Sequence, residues 1–178
     1  MGDDPSGDSD PRRTPAEIGA LVQAAQRGDT MAMNDLLDQL TPYVARICGP
    51  IALDDAADAA QEALTAVFRR LHTLREPAAV YGWARAIATR EAVRVAQRGA
   101  SRPTDELADL PARGDVELAA DIRDVLARLT PEHRAVLVLR DLEGLDERQA
   151  AALLAAPRGT IKSRLHRARL TFRRMWTE

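Results

Sequence analysis

The residues best suited to do chemistry in this sequence are cations near its C-terminal end. Residues 157–178 hold a single carboxylate, Glu178, against seven cations: Arg158, Lys162, Arg164, Arg167, Arg169, Arg173 and Arg174. The whole chain, by contrast, carries a formal net charge of −2. Local positive charge of this kind suits an anionic partner such as nucleic acid, although charge alone fits a solvated helix face equally well.

The spacing of apolar residues in the same segment predicts a helix with a buried side. These residues recur at intervals of three and four: Ile161, Leu165, Ala168, Phe172 and Met175 or Trp176. Lys162, Ser163, His166 and Arg167 project from the other sides. A shorter helix over 146–155 and a turn at Ala155-Ala156 come just before it. This order predicts a helix-turn-helix whose last helix enters the major groove of DNA, with a phosphate near Gly159-Thr160.

Other kinds of chemistry find little support in the sequence. Asp55, Asp58 and Glu62 share a helical spacing, but no nearby His or Cys completes a metal site. The three histidines, at 72, 133 and 166, are far apart, and the sequence has no Gly-rich phosphate loop and no nucleophile-base arrangement. We therefore expect a protein that is not an enzyme and has no catalytic residues, metal or cofactor.

The composition favours an all-α fold. Apolar residues make up 46% of the chain but aromatic residues only 3%, which suits close-packed helices. We predict a disordered acidic N-terminus over 1–13, a helical domain over 14–98, a flexible linker over 99–116 and a helix-turn-helix domain over 117–178. The sequence has one cysteine, Cys48, and no apolar run of membrane-spanning length, so we expect a cytoplasmic protein without a membrane segment.

Helix ends can also be predicted in the first domain. Thr14 and Glu17 form a capping-box pattern, and Asp29 is suited to cap the next helix. Thr41-Pro42 is expected to restart that helix and Gly49-Pro50 to break it. In the third helix, Phe68 is expected on the buried side and Asp58, Gln61, Glu62, Thr65 and Arg69 on the polar side. Trp83, in the fourth helix, is expected in the core.

Three quoted stretches resemble one known family. "LARLTPEHRAVLVLRDLEGLDERQAAALLAAPRGTIKSRLHRARLTFRR" resembles the C-terminal domain of the extracytoplasmic-function (ECF) RNA polymerase sigma factors. "DAADAAQEALTAVFRRL" resembles their polymerase-clamp helix, and "LREPAAVYGWARAIATREAVRVAQR" their promoter-melting segment. The resemblance covers roughly residues 15–176.

The resemblance implies a factor that binds the RNA polymerase core and directs it to promoters. It implies binding to the clamp coiled coil of the β′ subunit through Asp58, Gln61 and Glu62. It assigns recognition of the −35 element to Arg158, Thr160, Lys162, Ser163, Arg164, His166 and Arg167. It assigns the −10 element to Arg75, Glu76, Pro77, Ala78, Tyr81, Arg90 and Arg94. It also implies promoter DNA as a partner and an anti-sigma factor as a possible regulator.

Some residues depart from the family pattern. Ala155 stands where glycine is common, and an alanine with positive φ costs about 1 kcal/mol. Arg90 stands where the family often has Asn, and Glu76-Pro77 replaces a more usual Gly-and-polar pair. Two alternatives stay open: a helix-turn-helix regulator that lacks a polymerase clamp, and a protein-interaction module that has lost promoter binding.

Overall fold

The computed structural model describes residues 14–99 and 116–176, and in these two ranges the chain forms eight α-helices and no strand. They are α1 (Pro15–Gln26), α2 (Thr30–Ala52), α3 (Ala56–Arg70), α4 (Val80–Gly99), α5 (Val116–Ala127), α6 (Pro131–Leu137), α7 (Glu147–Leu154) and α8 (Arg158–Trp176). The predicted all-α class is confirmed. The predicted disordered N-terminus and most of the predicted linker lie outside the described residues. No helix in the described ranges is long and apolar enough to cross a membrane.

Helices α1 to α4 form an N-terminal unit around α2. Thr14 caps α1, because its hydroxyl accepts the Glu17 amide while the Glu17 carboxylate accepts the Thr14 amide, which confirms the predicted capping box. Asp29 caps α2 by accepting the amide of Ala32 at 3.0 Å, also as predicted. Helix α2 packs on the other three, and its inward side is fully buried at Leu36, Leu40, Val44, Ile47 and Ile51.

The predicted break at Gly49-Pro50 is wrong, and so is the restart at Thr41-Pro42. Helix α2 continues through both prolines and ends at Ala52. A proline inside a helix costs about 3 kcal/mol. Here Val44, Ile47, Cys48 and Ile51 are all inaccessible to solvent, so burial of one continuous apolar side outweighs the two missing amide hydrogen bonds. The helix ends instead where Leu53 takes a positive φ of 54°.

Helices α5 to α8 form a C-terminal unit. Thr130 caps α6, which passes into a π-helical turn over Val138–Leu142 and stops at Gly144, where φ is 66°. A capping box between Asp146 and Gln149 opens α7, with both hydrogen bonds at 2.8 Å. The buried residues of this unit are mainly aliphatic: Val136, Leu139, Leu145, Ala150, Ala151, Leu153, Ile161 and Leu165.

The two units pack directly against each other. Ala135 and Val138 of the C-terminal unit belong to the same buried cluster as the core of the N-terminal unit. Arg134, only 6% exposed, joins the two units through its guanidinium group. Its Nε donates to the carbonyl of Ile51 at 2.7 Å, and its Nη1 donates to the carbonyls of Leu129 and Leu126 at 2.9 and 3.3 Å.

Candidate functional site

Helix α8 presents several polar and charged side chains opposite its buried side. Ile161, Leu165 and Ala168 are buried as the spacing predicts. Of the seven residues predicted to contact the −35 element, five are exposed: Arg158, Lys162, Ser163, His166 and Arg167. The Ser163 hydroxyl donates to the carbonyl of Thr160 at 3.0 Å. The major groove of B-DNA is wide enough to admit an α-helix, and exposed cations on such a helix can donate to base edges.

The other two predicted −35 residues, Thr160 and Arg164, are half-buried. Arg164 points away from the exposed surface of α8 and lines a cleft of about 280 Å³ between the units. Arg90 and Arg94 of α4 line the same cleft, with Gln97 and Glu132. The structure therefore separates Arg164 from Lys162, His166 and Arg167 and brings it towards residues predicted to contact the −10 element.

The turn between α7 and α8 has the backbone geometry that the helix-turn-helix predicts. Ala155 ends α7 with φ 49° and ψ 43°, in the left-handed region. The amides of Ala155 and Ala156 both donate to the carbonyl of Ala151, the second at 3.0 Å. These hydrogen bonds close a tight turn at the end of α7. The turn has an alanine in a backbone region that favours glycine.

Helix α3 places a narrow stripe of residues on the outer surface of the N-terminal unit. Asp58 and Gln61 are exposed, and so is Thr65 one turn further on. The prediction that Phe68 is buried is wrong, because its side chain is 54% exposed. Spacings of three and four from Asp58 lead to Phe68, so the polar stripe ends in an aromatic ring. The spacing from Asp58 to Phe68 is visible in the sequence, but an aromatic side chain normally indicates burial.

Glu62 lies beside this stripe and is engaged within the N-terminal unit. Its carboxylate is ion-paired with Arg94 and Arg98 of α4. The hydrogen bond from Arg98, assisted by Arg94, lowers the pKa of Glu62 despite an opposing effect of burial. A residue predicted to bind the polymerase core is thus paired with Arg94, which is predicted to bind DNA.

The segment between α3 and α4 is an exposed loop with a fixed base. Arg75, Glu76 and Ala78 are exposed and Pro77 is half-buried. The Gln26 side-chain amide donates to the carbonyls of Leu71 and Leu74 at 2.9 and 2.8 Å, which anchors the start of the loop on α1. Because the base of this loop is already fixed, binding through its side chains would cost less conformational entropy.

Tyr81 and Arg90, two more residues predicted at the −10 element, both have partners inside the protein. The Tyr81 ring packs edge-on against the Tyr43 ring, with centroids 5.2 Å apart, and its hydroxyl accepts from Gln39 at 3.3 Å. The Arg90 Nε donates to the carbonyl of Leu153 in α7 at 2.9 Å. Trp83 is half-buried against the N-terminal core, close to its predicted place.

Glu143 forms a cluster that the sequence did not predict. Its carboxylate accepts from the Tyr43 hydroxyl at 3.0 Å, from Arg46 at 2.6 Å and from Arg85 at 3.2 Å, and its side chain is 6% exposed. Burial raises the pKa of Glu143, but these three hydrogen bonds outweigh it and the pKa is lowered. Burial and the hydrogen bond to Glu143 raise the pKa of the Tyr43 hydroxyl to about 12.

The described residues hold no grouping of three or more His, Cys, Asp or Glu side chains that could bind a metal ion. Cys48 is buried, and burial raises the pKa of its thiol to about 12. The described residues place exposed cations on α8 and a mixed polar and aromatic stripe on α3.

Comparisons with known proteins place both units in one family. Residues 33–102 match the family model "Sigma-70 region 2" and residues 119–172 match "Sigma-70, region 4". The ECF RNA polymerase sigma factor SigM of Mycobacterium tuberculosis is 33% identical over 161 residues, covering 87% of this chain and 82% of that relative. The RNA polymerase sigma-H factor of Pseudomonas aeruginosa is 32% identical over 173 residues, covering 84% and 88% of the two chains.

Two solved structures share the fold. One is CnrH in complex with the cytosolic domain of CnrY, with a TM-score of 0.62, 20% identity and coverage of 90% and 97%. The other is the sigma factor RpoE in complex with the anti-sigma factor NepR from Bartonella quintana, with a TM-score of 0.61, 23% identity and coverage of 81% and 96%. With both sigma regions matched in sequence, the chain belongs to the ECF family of RNA polymerase sigma factors, which direct transcription initiation at promoters.

Proposed function

We propose that the two units of this sigma factor divide promoter recognition between them. The C-terminal unit reads duplex DNA at the −35 element through the exposed surface of α8. The N-terminal unit binds the polymerase core through α3 and opens the −10 element with the loop over 73–80 and the basic edge of α4. The observation that carries the proposal is the exposure of Lys162, His166 and Arg167 on one side of α8 while the opposite side is buried.

At the −35 element, Arg167 and Lys162 are suited to donate to guanine edges, and Arg158 to a phosphate at the start of the helix. A good bidentate contact to a base contributes about 1–3 kcal/mol of discrimination. Phosphate contacts add affinity without sequence preference. We therefore expect Arg167→Ala to weaken promoter binding by about 1–3 kcal/mol and to relax the preference at one −35 position.

This expectation is measured with a set of duplexes that carry single −35 substitutions, at one fixed salt concentration. Arg27→Ala is the control, because it removes the same charge from an exposed position at the end of α1, on the other unit. Wild-type affinity and wild-type preference for Arg167→Ala at every −35 position would contradict its role in base recognition.

For the polymerase core, we propose the α3 stripe as the contact surface: Asp58, Gln61 and Phe68, with Glu62 at its edge. Aromatic residues are enriched at the centre of protein interfaces, and an exposed aromatic ring such as Phe68 is therefore a candidate to carry binding energy. Asp58→Ala and Phe68→Ala should each weaken binding of the purified core. Asp121→Ala, which removes an exposed carboxylate from α5, is the control. If both α3 variants bound the polymerase core as the wild type does, the contact surface would lie elsewhere on the protein.

At the −10 element, we propose that residues 75–78 receive a base that leaves the DNA stack. Extracting a base costs a few kcal/mol, which the loop and nearby cations must offset. Arg90 and Arg94 lie on the adjacent edge of α4 and would bind the backbone of the opened strand. The packing of Tyr81 on Tyr43 supports a role for Tyr81 in holding this region in place.

We also propose a regulatory partner. Two solved structures with this fold are complexes, one with a cytosolic domain and the other with an anti-sigma factor. A partner of that kind would fit a factor whose two units contact each other, because it could hold them together. We further propose that the chain works in the cytoplasm with RNA polymerase and catalyses no reaction itself, since the family consists of initiation factors.

A further inference from the structure

The loop over 73–80, which we call the −10 loop, packs against helix α1. Leu74 and Val80 are buried in the N-terminal core near its two ends. Between them the backbone forms an exposed segment over 75–79, in which only Pro77 is half-buried. The part of the loop that we propose to contact DNA therefore has few apolar contacts of its own to hold it in place.

Hydrogen bonds within the −10 loop close turns but do not fix the turns on the protein. The Leu74 amide donates to the Leu71 carbonyl at 3.1 Å, and the Ala79 amide donates to the Glu76 carbonyl at 3.0 Å. Each bond joins residues three positions apart, so each can persist while the turn moves as a whole. The position of the turns therefore depends on contacts from outside the loop.

Gln26, the last residue of α1, makes such a contact. Its side-chain amide nitrogen donates to the carbonyl of Leu71 at 2.9 Å and to the carbonyl of Leu74 at 2.8 Å. The amide carries two hydrogens on one nitrogen, so a single side chain joins both ends of the first turn to α1. Leu74 is the last residue before the exposed segment, and the bond to its carbonyl therefore fixes the point from which that segment starts.

Gly19 gives α1 a second point of contact with the −10 loop. It lies two helical turns before Gln26, which places both residues on the same side of α1. A Cβ atom at position 19 would lie 3.9 Å from the Cβ atom of Pro77, so the helix backbone itself runs beside the loop. An alanine would be in ordinary contact there, whereas a longer side chain would press against Pro77.

We propose that α1 positions the −10 loop for promoter opening, with Gln26 as the positioning residue and Gly19 as the contact that sets the distance. The inference gives a role to a helix that ends before residue 33, where the match to Sigma-70 region 2 begins. It rests on the proposed role of residues 75–78 at the −10 element. A loop that is in place for only a fraction of the time binds a base more weakly by that fraction. Loss of the Gln26 contact should therefore slow opening without weakening the −35 contact.

Two variants of α1 change its contacts with the −10 loop, and each has a matched control. Gln26→Met removes both hydrogen bonds and keeps an uncharged side chain of similar length. Its control is Gln23→Met, because Gln23 is exposed on the same helix about one turn earlier. Gly19→Leu disturbs the second contact and leaves Gln26 in place. Its control is Gly19→Ala, because a methyl group fits beside Pro77. Circular dichroism checks that each variant is folded at the assay temperature.

The first measurement is hydrogen exchange of the free full-length protein, read by mass spectrometry in the peptide over 71–80. Backbone amides exchange faster where the local structure opens more often. We expect Gln26→Met to increase exchange in this peptide about tenfold, as for the loss of one or two net hydrogen bonds. Gln23→Met should leave the exchange unchanged. Wild-type exchange for Gln26→Met would overturn the proposal, and this result involves neither DNA nor polymerase.

The second measurement is the opening of promoter DNA by holoenzyme reconstituted with purified polymerase core. The probe is a duplex that the wild-type holoenzyme transcribes, selected from genomic fragments by run-off transcription. Permanganate reactivity of unpaired thymines gives the opening rate, and an electrophoretic mobility shift in the cold gives the affinity of the closed complex. We expect Gln26→Met and Gly19→Leu to slow opening about tenfold with unchanged closed-complex affinity. Both controls should open the probe at the wild-type rate.

A variant of the −10 loop itself separates this inference from the proposed function. Replacement of residues 75–78 by a Gly-Ser linker removes the loop side chains and should slow opening strongly. If that variant opens slowly but Gln26→Met opens at the wild-type rate, the positioning inference is wrong and the proposed role of the loop is retained. If both open at the wild-type rate, the proposed role of the loop is wrong as well. Equal losses of opening and of closed-complex affinity in Gln26→Met would indicate a general structural role and would also overturn the inference.

Discussion

Replacing Ala155 with glycine is expected to stabilise the protein, because Ala155 occupies a backbone region that its side chain disfavours. Its φ of 49° and ψ of 43° lie in the left-handed region. There the Cβ atom crowds the following carbonyl oxygen, at a cost of roughly 1–2 kcal/mol for an L-residue. Glycine has no Cβ atom and adopts this conformation freely.

The expected gain follows from two opposing contributions. Removal of the methyl group relieves the backbone strain, whereas glycine gives the unfolded chain about 0.4–1 kcal/mol of extra entropy. Ala155 is exposed, so little buried apolar surface is lost, and its amide keeps the hydrogen bond to Ala151. The net stabilisation is about 0.5–1 kcal/mol, or about 1–4 °C in melting temperature for a cooperative unit of this size.

The measurement is thermal unfolding of Ala155→Gly followed by circular dichroism, compared with Ala152→Gly. Ala152 is also exposed but lies inside α7 with right-handed helical geometry. Glycine there should destabilise by about 1 kcal/mol. The same substitution three residues apart should therefore shift the melting temperature in opposite directions. A lower melting temperature for both variants would refute the argument that Ala155 is strained.

Three more predictions concern buried polar groups. Arg134→Met should destabilise the protein by about 2–4 kcal/mol in urea unfolding, because carbonyls of Ile51 and Leu129 lose their buried donor. Cys48 should resist iodoacetamide at pH 8 in the folded protein and react with it in denaturant. A pKa of about 12 leaves about one thiol in ten thousand as the reactive thiolate at pH 8. Mass spectrometry distinguishes the alkylated protein from the unmodified protein. The lowered pKa of Glu143 means that its stabilising contribution is complete above the unfolded pKa of about 4.3 and is lost as the pH falls through the folded value. Glutamine does not titrate, so Glu143→Gln lacks this pH-dependent contribution. Between pH 5 and 3, the melting temperature should therefore fall less steeply for Glu143→Gln than for the wild type.

Local patterns predicted much of the fold. The caps at Thr14, Asp29 and Thr130 involve residues three apart, and such hydrogen bonds depend on little beyond the nearby sequence. The buried and exposed sides of α8 followed from spacing alone. The prolines in α2 show the limit of this reasoning, because the apolar partners that keep the helix continuous come from distant parts of the chain.

Contacts between the units could not be predicted in the same way. Arg134 bonds to the backbone of a residue 83 positions earlier, and Glu143 accepts from Tyr43 across 100 positions. In the sequence each is one charged residue among many, with no periodicity to indicate burial. The candidate DNA surface was easier to predict, because its residues, from Arg158 to Arg167, lie within three turns of one helix. The family resemblance added the separate roles expected of α3 and α4.

The bonds of Arg134 have a consequence for how this interface changes in evolution. All three acceptors are main-chain carbonyls, at Ile51, Leu126 and Leu129. A carbonyl oxygen is present whatever the side chain, so substitution at these three positions leaves the acceptors in place as long as the helix ends keep their positions. Arg134 itself has no such freedom, because lysine lacks the forked geometry that reaches two sets of carbonyls. Across related sequences, position 134 should therefore be constrained while showing no covariation with the residues to which it bonds.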